Sequence, residues 1–220
     1  MLTLAHQPPL AIGNLRAIHQ HPLQPALLVK TLRPQAVARR YDAPGRWLKR
    51  LPRARQYTGF VRELKEYMAL QARAPGGIAP VARMVGIVET DLGIGLVSEK
   101  IVDATGAMAP SLHTIYRQNG GASEWTDAAL DKLLEELLRF NVIVGDLHAS
   151  NIVYGSDSRR GTPRFILVDG FGEKNLVPLK SIWRWLNQRN TRRVYRRLRT
   201  ILMRPVSSWG ASVRADQSVS

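Results

Sequence analysis

A chain of 220 residues with 45% hydrophobic and 22% charged residues can bury roughly 70% of its unfolded surface, enough for a core without crosslinks. The lack of any cysteine excludes disulfides, cysteine-ligated zinc and thiol catalysis. The formal charge of +15 sits in two stretches, +7 between Arg33 and Arg55 and +9 between Lys180 and Arg204, which leaves the remainder near −1; each stretch is a candidate contact with something anionic.

The apolar start of the chain is broken by His6-Gln7-Pro8-Pro9 and has no basic leader, so it does not read as a secretory signal. No uncharged apolar run reaches the roughly 18 residues a spanning helix needs. The expectation is a soluble cytoplasmic protein. Leu10-Ala11-Ile12 and Arg16-Ala17-Ile18 flank Gly13-Asn14 as a hairpin, and Ala26 to Lys30 forms a third apolar strand. A basic loop rich in Arg, Pro and Gly is expected from Arg33 to about Tyr57. Val61, Leu64, Tyr67, Met68 and Leu70 then recur at helical spacing, up to Pro75-Gly76-Gly77. Val85–Val88 and Ile94–Val97 bracket Asp91-Leu92-Gly93 as a second hairpin, so the order is β-β-β-α-β-β.

Beyond Ser98 the character turns helical. Leu130, Leu133, Leu134, Leu137 and Leu138 form an amphipathic stripe, with Thr126 as the expected N-cap and Asn141 near the end. Val142-Ile143-Val144 leads into Gly145-Asp146-Leu147-His148-Ala149-Ser150-Asn151, followed by the strands Ile152–Tyr154 and Phe165–Val168. Leu179, Ile182, Trp183, Leu186, Val194, Leu198 and Ile201 give the basic C-terminal segment a helical period, as one kinked helix or two short ones. Residues from Pro205 onward read as a frayed tail.

The chemistry lies in three side chains. Asp146 is followed five residues later by Asn151, and eighteen residues after that by Asp169 at the end of an apolar strand. Phosphoryl transfer from ATP needs one carboxylate to act on the acceptor hydroxyl, while an amide and a second carboxylate hold the Mg2+ that neutralises the phosphates. Asp146 takes the first role, and Asn151 and Asp169 the second. A carboxylate ending a buried strand is otherwise costly to desolvate. Lys30 closes a strand and would grip the α- and β-phosphates, oriented by Glu63 or Glu66 on the following helix. Glu63 is preferred, because Tyr67 and Leu70 share its face. His148 either braces the catalytic loop or touches the transferred group. Gly13 would turn above the phosphates, and the backbone from Glu99 to Ile101 would line the adenine. The basic C-terminal segment is either a solvated face or a contact with an anionic membrane surface, a phosphorylated saccharide or nucleic acid, the last resting on charge alone.

These residues resemble the PhoP regulatory network protein family, within the protein-kinase-like superfamily. The likeness runs from Pro9-Leu10, Gly13 and Arg16 through Val29-Lys30, Arg62-Glu63-Leu64-Lys65 and Val88-Glu89-Thr90-Asp91. It continues through the Asp146–Asn151 loop to Asp169, Gly172-Glu173 and Leu176-Val177-Pro178-Leu179. The resemblance implies a two-lobed α+β fold, with a nucleotide-covering β-rich lobe in residues 1–100 and a reduced helical lobe in 101–204. The Gly-Asp-Leu-His-x-x-Asn form is similar to small-molecule kinases more than to protein kinases, and no Ala-Pro-Glu segment follows Asp169. The resemblance therefore implies phosphotransfer to a hydroxyl of a small or envelope-associated acceptor, such as an anionic lipopolysaccharide sugar. A non-catalytic, nucleotide-binding regulatory module is the alternative.

Overall fold

Strand β3 (Leu27–Leu32) is buried along its whole length, because a β-strand presents alternate side chains to opposite faces and here both faces are covered. On one face Leu27 and Val29 pack with Leu4 and Val97, and Leu2, Val88 and Leu92 close the cluster. Lys30 takes the other face. The remaining strands, β1 (Ala11–Ile12), β2 (Arg16–Gln20), β4 (Met84–Thr90) and β5 (Gly93–Glu99), complete an antiparallel sheet of order β1-β2-β3-β5-β4. Lys30 pairs with Ile18 on one side and with Leu96 on the other. The N-terminal residues are tied to this sheet by Asp91, whose carboxylate accepts from Leu4 N at 2.8 Å and Ala5 N at 3.0 Å. Those two bonds hold its pKa below the ordinary value.

The computed structural model describes residues 1–41, 55–73, 76–173 and 183–204. The chain divides into two compact units, Met1–Tyr67 with Ala82–Lys100, and Met68–Val81 with the described residues from Ile101 onward. The fold is α+β, with the antiparallel sheet first and helices after it. Two expectations about the stretch from Arg33 to Arg73 need correction. The stretch after Arg33 opens as helix α1 (Pro34–Tyr41), since proline with its fixed φ suits a first helical turn; the basic stretch beyond it lies outside the described residues. In α2 (Thr58–Arg73) the buried stripe is Phe60, Glu63, Glu66 and Leu70, while Val61 and Met68 are 58% and 56% exposed. Two glutamates occupy positions that an apolar pattern assigns to hydrophobic residues.

The second unit is built on α3 (Leu112–Asn119), α4 (Glu124–Arg139), the hairpin of β6 (Ile152–Gly155) and β7 (Arg164–Leu167), and α5 (Arg184–Leu202). Helix α3 starts at Ser111, whose Oγ accepts from Thr114 N at 3.1 Å, and ends at Gly120 with φ 71°. The N-cap of α4 is Ser123, not Thr126: Thr126 is the third helical residue, and its hydroxyl receives Ser123 N–H at 3.0 Å. The buried Leu130, Leu133 and Leu137 follow from the predicted stripe. Arg164 is buried and reaches Asp157 at 3.0 Å and Glu136 at 2.7 Å. Tyr154, Phe165 and Trp125 stack around the hairpin at centroid distances of 5.1–6.3 Å. Helix α5 is one continuous helix; Tyr195 OH donates to Asp131 at 2.5 Å, and Arg199 pairs with Asp127. Tyr195 is buried, whereas Trp183 and Trp185 are exposed. Leu176-Val177-Pro178-Leu179, Ile182 and the tail 205–220 lie outside the described residues. No helix among those described is long and apolar enough to cross a membrane.

Candidate functional site

In the first unit the candidate residues gather around one buried carboxylate. Glu63 is fully buried and Lys30 only 3% exposed. Lys30 Nζ lies 3.6 Å from Glu63 Oε2, and Arg16 NH1 donates to Glu63 Oε1 at 2.7 Å. Strand alternation aims Lys30 at α2, and the helical period of 3.6 places Glu63 beneath it. Arg16 also lies over the Phe60 ring, 4.9 Å from its centroid, a cation–π contact that fixes the guanidinium. A Cβ at Gly59 would lie 2.4 Å from Arg16 NH2, so a larger residue there would have to displace the guanidinium.

Gly13 sits at the β1–β2 turn, where its N–H donates to Arg16 O at 2.8 Å and its carbonyl accepts from Arg33 NH1 at 2.8 Å. Both groups serve the hairpin. Glu99 donates its N–H to Arg83 O at 2.9 Å, and its carboxylate lies 3.6 Å from Arg83 Nε. Ile101, the first residue of the second unit's main segment, accepts Ala109 N–H on its carbonyl at 2.9 Å.

The second unit brings Asp146, His148, Asn151 and Asp169 onto two loops joined by main-chain bonds. Gly145 N and Asp146 N both donate to Gly170 O, at 2.9 and 2.7 Å. Gly172 N donates to Ile143 O at 2.7 Å, and Val168 N to Asn151 O at 2.8 Å. Gly170 has φ 79°, and a Cβ there would lie 2.3 Å from Asp146 O and 2.9 Å from Asn151 Nδ2. Only glycine permits that approach. The apolar residues on either side (Val142, Ile143, Val144, Ile152, Leu167 and Phe171) are buried and hold the loops in place, while the four polar side chains stay half-exposed. Val144, at the end of the apolar run 142–144, makes a single bridge with Phe171.

His148 Nε2 lies 2.8 Å from Asp146 Oδ1, so the imidazole orients the carboxylate. Asn151 Nδ2 faces Asp146 O at 3.4 Å, which turns its Oδ1 the other way. Asp169 Oδ1 accepts Gly170 N–H at 2.5 Å. Among the described residues no cluster of three or more acidic or histidine side chains could hold a metal. One carboxylate and one amide oxygen fit Mg2+ that arrives with phosphates, since that ion takes few protein ligands and completes its shell with substrate oxygens and water.

Sequence reasoning passed over Arg16 as a partner of Glu63, Gly170 as the point of close approach, and two asparagines of α5. Asn187 Nδ2 donates to Asn141 O at 3.2 Å and Val142 O at 3.0 Å, and Asn190 Nδ2 to Val144 O at 3.2 Å. The positive φ of 52° at Asn141 belongs to the same brace. Only Gly170 carried a signal, through its position directly after Asp169.

Residues 2–202 match the family described as PhoP regulatory network protein YrbL, and the chain belongs to that family. It is similar to YrbL of Escherichia coli (strain K12) and YrbL of Shigella flexneri, 26% identical to each over 201 residues that span 90% of this chain and 86% of either relative. Among solved structures it is similar to the kinase domain of PknI from Mycobacterium tuberculosis, with a TM-score of 0.41 and 16% identity over 74% of this chain; it spans 56% of that structure's length.

Proposed function

We propose that this member of the PhoP regulatory network protein YrbL family is an ATP- and Mg2+-dependent phosphotransferase acting on a hydroxyl of a small or envelope-associated anionic acceptor. The observation that carries the reading is the second unit's pair of loops, which present Asp146, Asn151 and Asp169 around one main-chain junction at Gly170. Lys30, held by Glu63, binds the α- and β-phosphates, and Arg16 holds Glu63 in place. Asn151 and Asp169 hold Mg2+. When bound, that ion neutralises charge on the phosphate oxygens. Asp146, oriented by His148, takes the acceptor's proton as the acceptor oxygen bonds to the γ-phosphorus and the bond to the β,γ-bridging oxygen breaks, giving ADP and a phosphoester. The backbone from Glu99 to Ile101 lies against the adenine, and the protein works in the cytoplasm or at the inner face of a membrane.

One observation favours a second reading, a regulatory module that binds nucleotide without turnover. The Gly13 N–H is engaged by Arg16 O, so it offers the phosphates no donor of its own. Asp146→Asn separates the two. For an enzyme, turnover with ADP release as the readout falls at least ~100-fold, as expected for loss of a positioned base, while ATP affinity stays within about twofold. Unchanged ADP release in this variant removes Asp146 from the chemistry.

A further inference from the structure

Helix α5 carries seven arginines and no acidic residue. Its buried stripe, Asn187, Thr191, Tyr195, Leu198 and Leu202, packs into the second unit. Tyr195 OH donates to Asp131, Arg199 pairs with Asp127, and Asn187 and Asn190 donate to Val142 O and Val144 O. The helix is therefore fixed to α4 and to the segment that leads into the Asp146 loop. Its opposite side has another character. Trp185 and Met203 are about five turns apart at 3.6 residues per turn, so they fall on one line along the helix, and they are 61% and 79% exposed. Arg189, Arg192 and Arg196 lie within about 40° of that line and Arg193 within about 80°. All four arginines are exposed, and among the described residues no ion pair or hydrogen bond engages them. They stand three or four residues apart, so like charges meet on the helix surface, an arrangement that weakens a helix. Nothing among the described residues offsets that repulsion; an anionic surface would.

We propose that the outward side of α5 docks on the surface of an anionic phospholipid bilayer. The guanidinium groups meet headgroup phosphates, whose oxygens they match in pairs, and Trp185 and Met203 enter the headgroup layer at the two ends of the stripe. Tryptophan favours that depth because its ring is amphipathic. The stripe runs straight for about 27 Å, and a plane touches every residue of a straight stripe at once. A nucleic-acid duplex would take the arginines on its phosphates but has no apolar layer for Trp185 and Met203, which favours the bilayer. The apolar stripe of α5 is used inside the protein, so the contact is peripheral and mainly electrostatic. This surface lies outside the phosphotransfer reading and does not depend on it. Because Asn187 and Asn190 tie the docked helix to the segment before Asp146, the joined loops are held at the membrane surface with it.

The test is flotation of the full-length protein with vesicles of phosphatidylcholine, alone or mixed with phosphatidylglycerol, at fixed ionic strength. Two variants remove equal charge, Arg189→Gln/Arg192→Gln/Arg196→Gln on α5 and Arg39→Gln/Lys65→Gln/Arg117→Gln at exposed positions elsewhere. Wild type should bind the mixed vesicles and not phosphatidylcholine alone. The α5 variant should lose at least ~30-fold in partitioning, at roughly fivefold for each arginine near an anionic surface. The scattered variant should lose less than about threefold, since charges beyond a Debye length are screened. Trp185→Gln/Met203→Gln leaves the charge intact and should lose about tenfold on mixed vesicles. Equal losses in the two charge variants would assign binding to diffuse charge and overturn the surface. Full binding by Trp185→Gln/Met203→Gln, or no binding of wild type to mixed vesicles, would overturn it as well. Duplex DNA is offered in parallel by fluorescence anisotropy; tighter binding to DNA than to vesicles, lost in the α5 variant, would give the face to nucleic acid instead. Circular dichroism and thermal melting check folding. The α5 variant should melt no lower than wild type, because like charges are removed, and a large drop would show that these arginines serve the fold rather than a partner. ATP–Mg2+ affinity in solution should be the same in all three variants. Failure of wild type to bind ATP–Mg2+ sinks the phosphotransfer reading and leaves the docking surface standing.

Discussion

Replacing Gly170 with alanine should cost far more than the same change at Gly106, although the two residues have nearly the same positive φ. Their φ values are 79° and 82°, so each alanine pays the left-handed penalty of roughly 1–2 kcal/mol. At Gly106 no heavy atom lies within 4 Å of the added Cβ, whereas at Gly170 it meets Asp146 O at 2.3 Å. That oxygen is main chain and cannot rotate away, so the loop must move. Moving it breaks the two bonds from Gly145 N and Asp146 N to Gly170 O, at about 1 kcal/mol each. Gly170→Ala should therefore lose about 3–4 kcal/mol and Gly106→Ala about 1–2. The excess of about 2 kcal/mol corresponds to a melting point lower by roughly 4–8 °C for a domain of this size. Urea denaturation of both variants measures the difference directly. Losses equal to within about 0.5 kcal/mol, near the scatter expected for independent sites, would refute the close approach of the two loops.

Glu63→Gln leaves Lys30 and Arg16 beside a neutral group in a buried position, so it should destabilise the protein by about 3–5 kcal/mol. Arg16→Gln, which removes the more accessible partner, should cost less. Thermal melts rank the two, and the reverse order would contradict Glu63 as the centre of the cluster. Asp157 gives a pH prediction. Burial pushes its carboxyl up, but the bonds from Arg164 and the Arg160 amide, with the charges of Arg164 and Arg159, outweigh it and set the pKa below the ordinary value. A group depressed on folding adds stability above its unfolded pKa of about 4, and that contribution is lost as pH falls through the folded value. Melting temperature should therefore drop more steeply on acidification for wild type than for Asp157→Asn, and parallel curves would show that the carboxylate contributes nothing specific.

Much of the architecture could be read from residues because pattern and physics agreed there. The second hairpin appears as β4 and β5 around Asp91-Leu92, and the leucine stripe of α4 faces inward as its period requires. The loop spacing that marks Asp146, Asn151 and Asp169 places all three on the joined loops of one unit. Other parts depended on tertiary partners that no local pattern encodes. Glu63 and Glu66 lie on the buried face of α2 because cations cover Glu63, and a hydrophobicity rule then mistakes Val61 and Met68 for core. The helix after Arg33 was hidden by its proline and arginines, although proline at a first turn is favourable. Arg16 sits 47 residues before Glu63, and although it belongs to the family resemblance, no local pattern marks it as the partner of Glu63.

The most direct test is a titration of the full-length protein with ATP, with and without Mg2+, for wild type and Asp169→Ala. If Asp169 and Asn151 hold the ion beneath the phosphates, wild type should gain roughly 2.7 kcal/mol of stability at 100 times its dissociation constant, and it should lose most of that gain without Mg2+. Asp169→Ala should show the same small gain whether Mg2+ is present or not. A wild type that millimolar ATP–Mg2+ does not stabilise, or an Asp169→Ala variant that keeps the full Mg2+-dependent gain, would contradict a phosphotransfer site built on these loops.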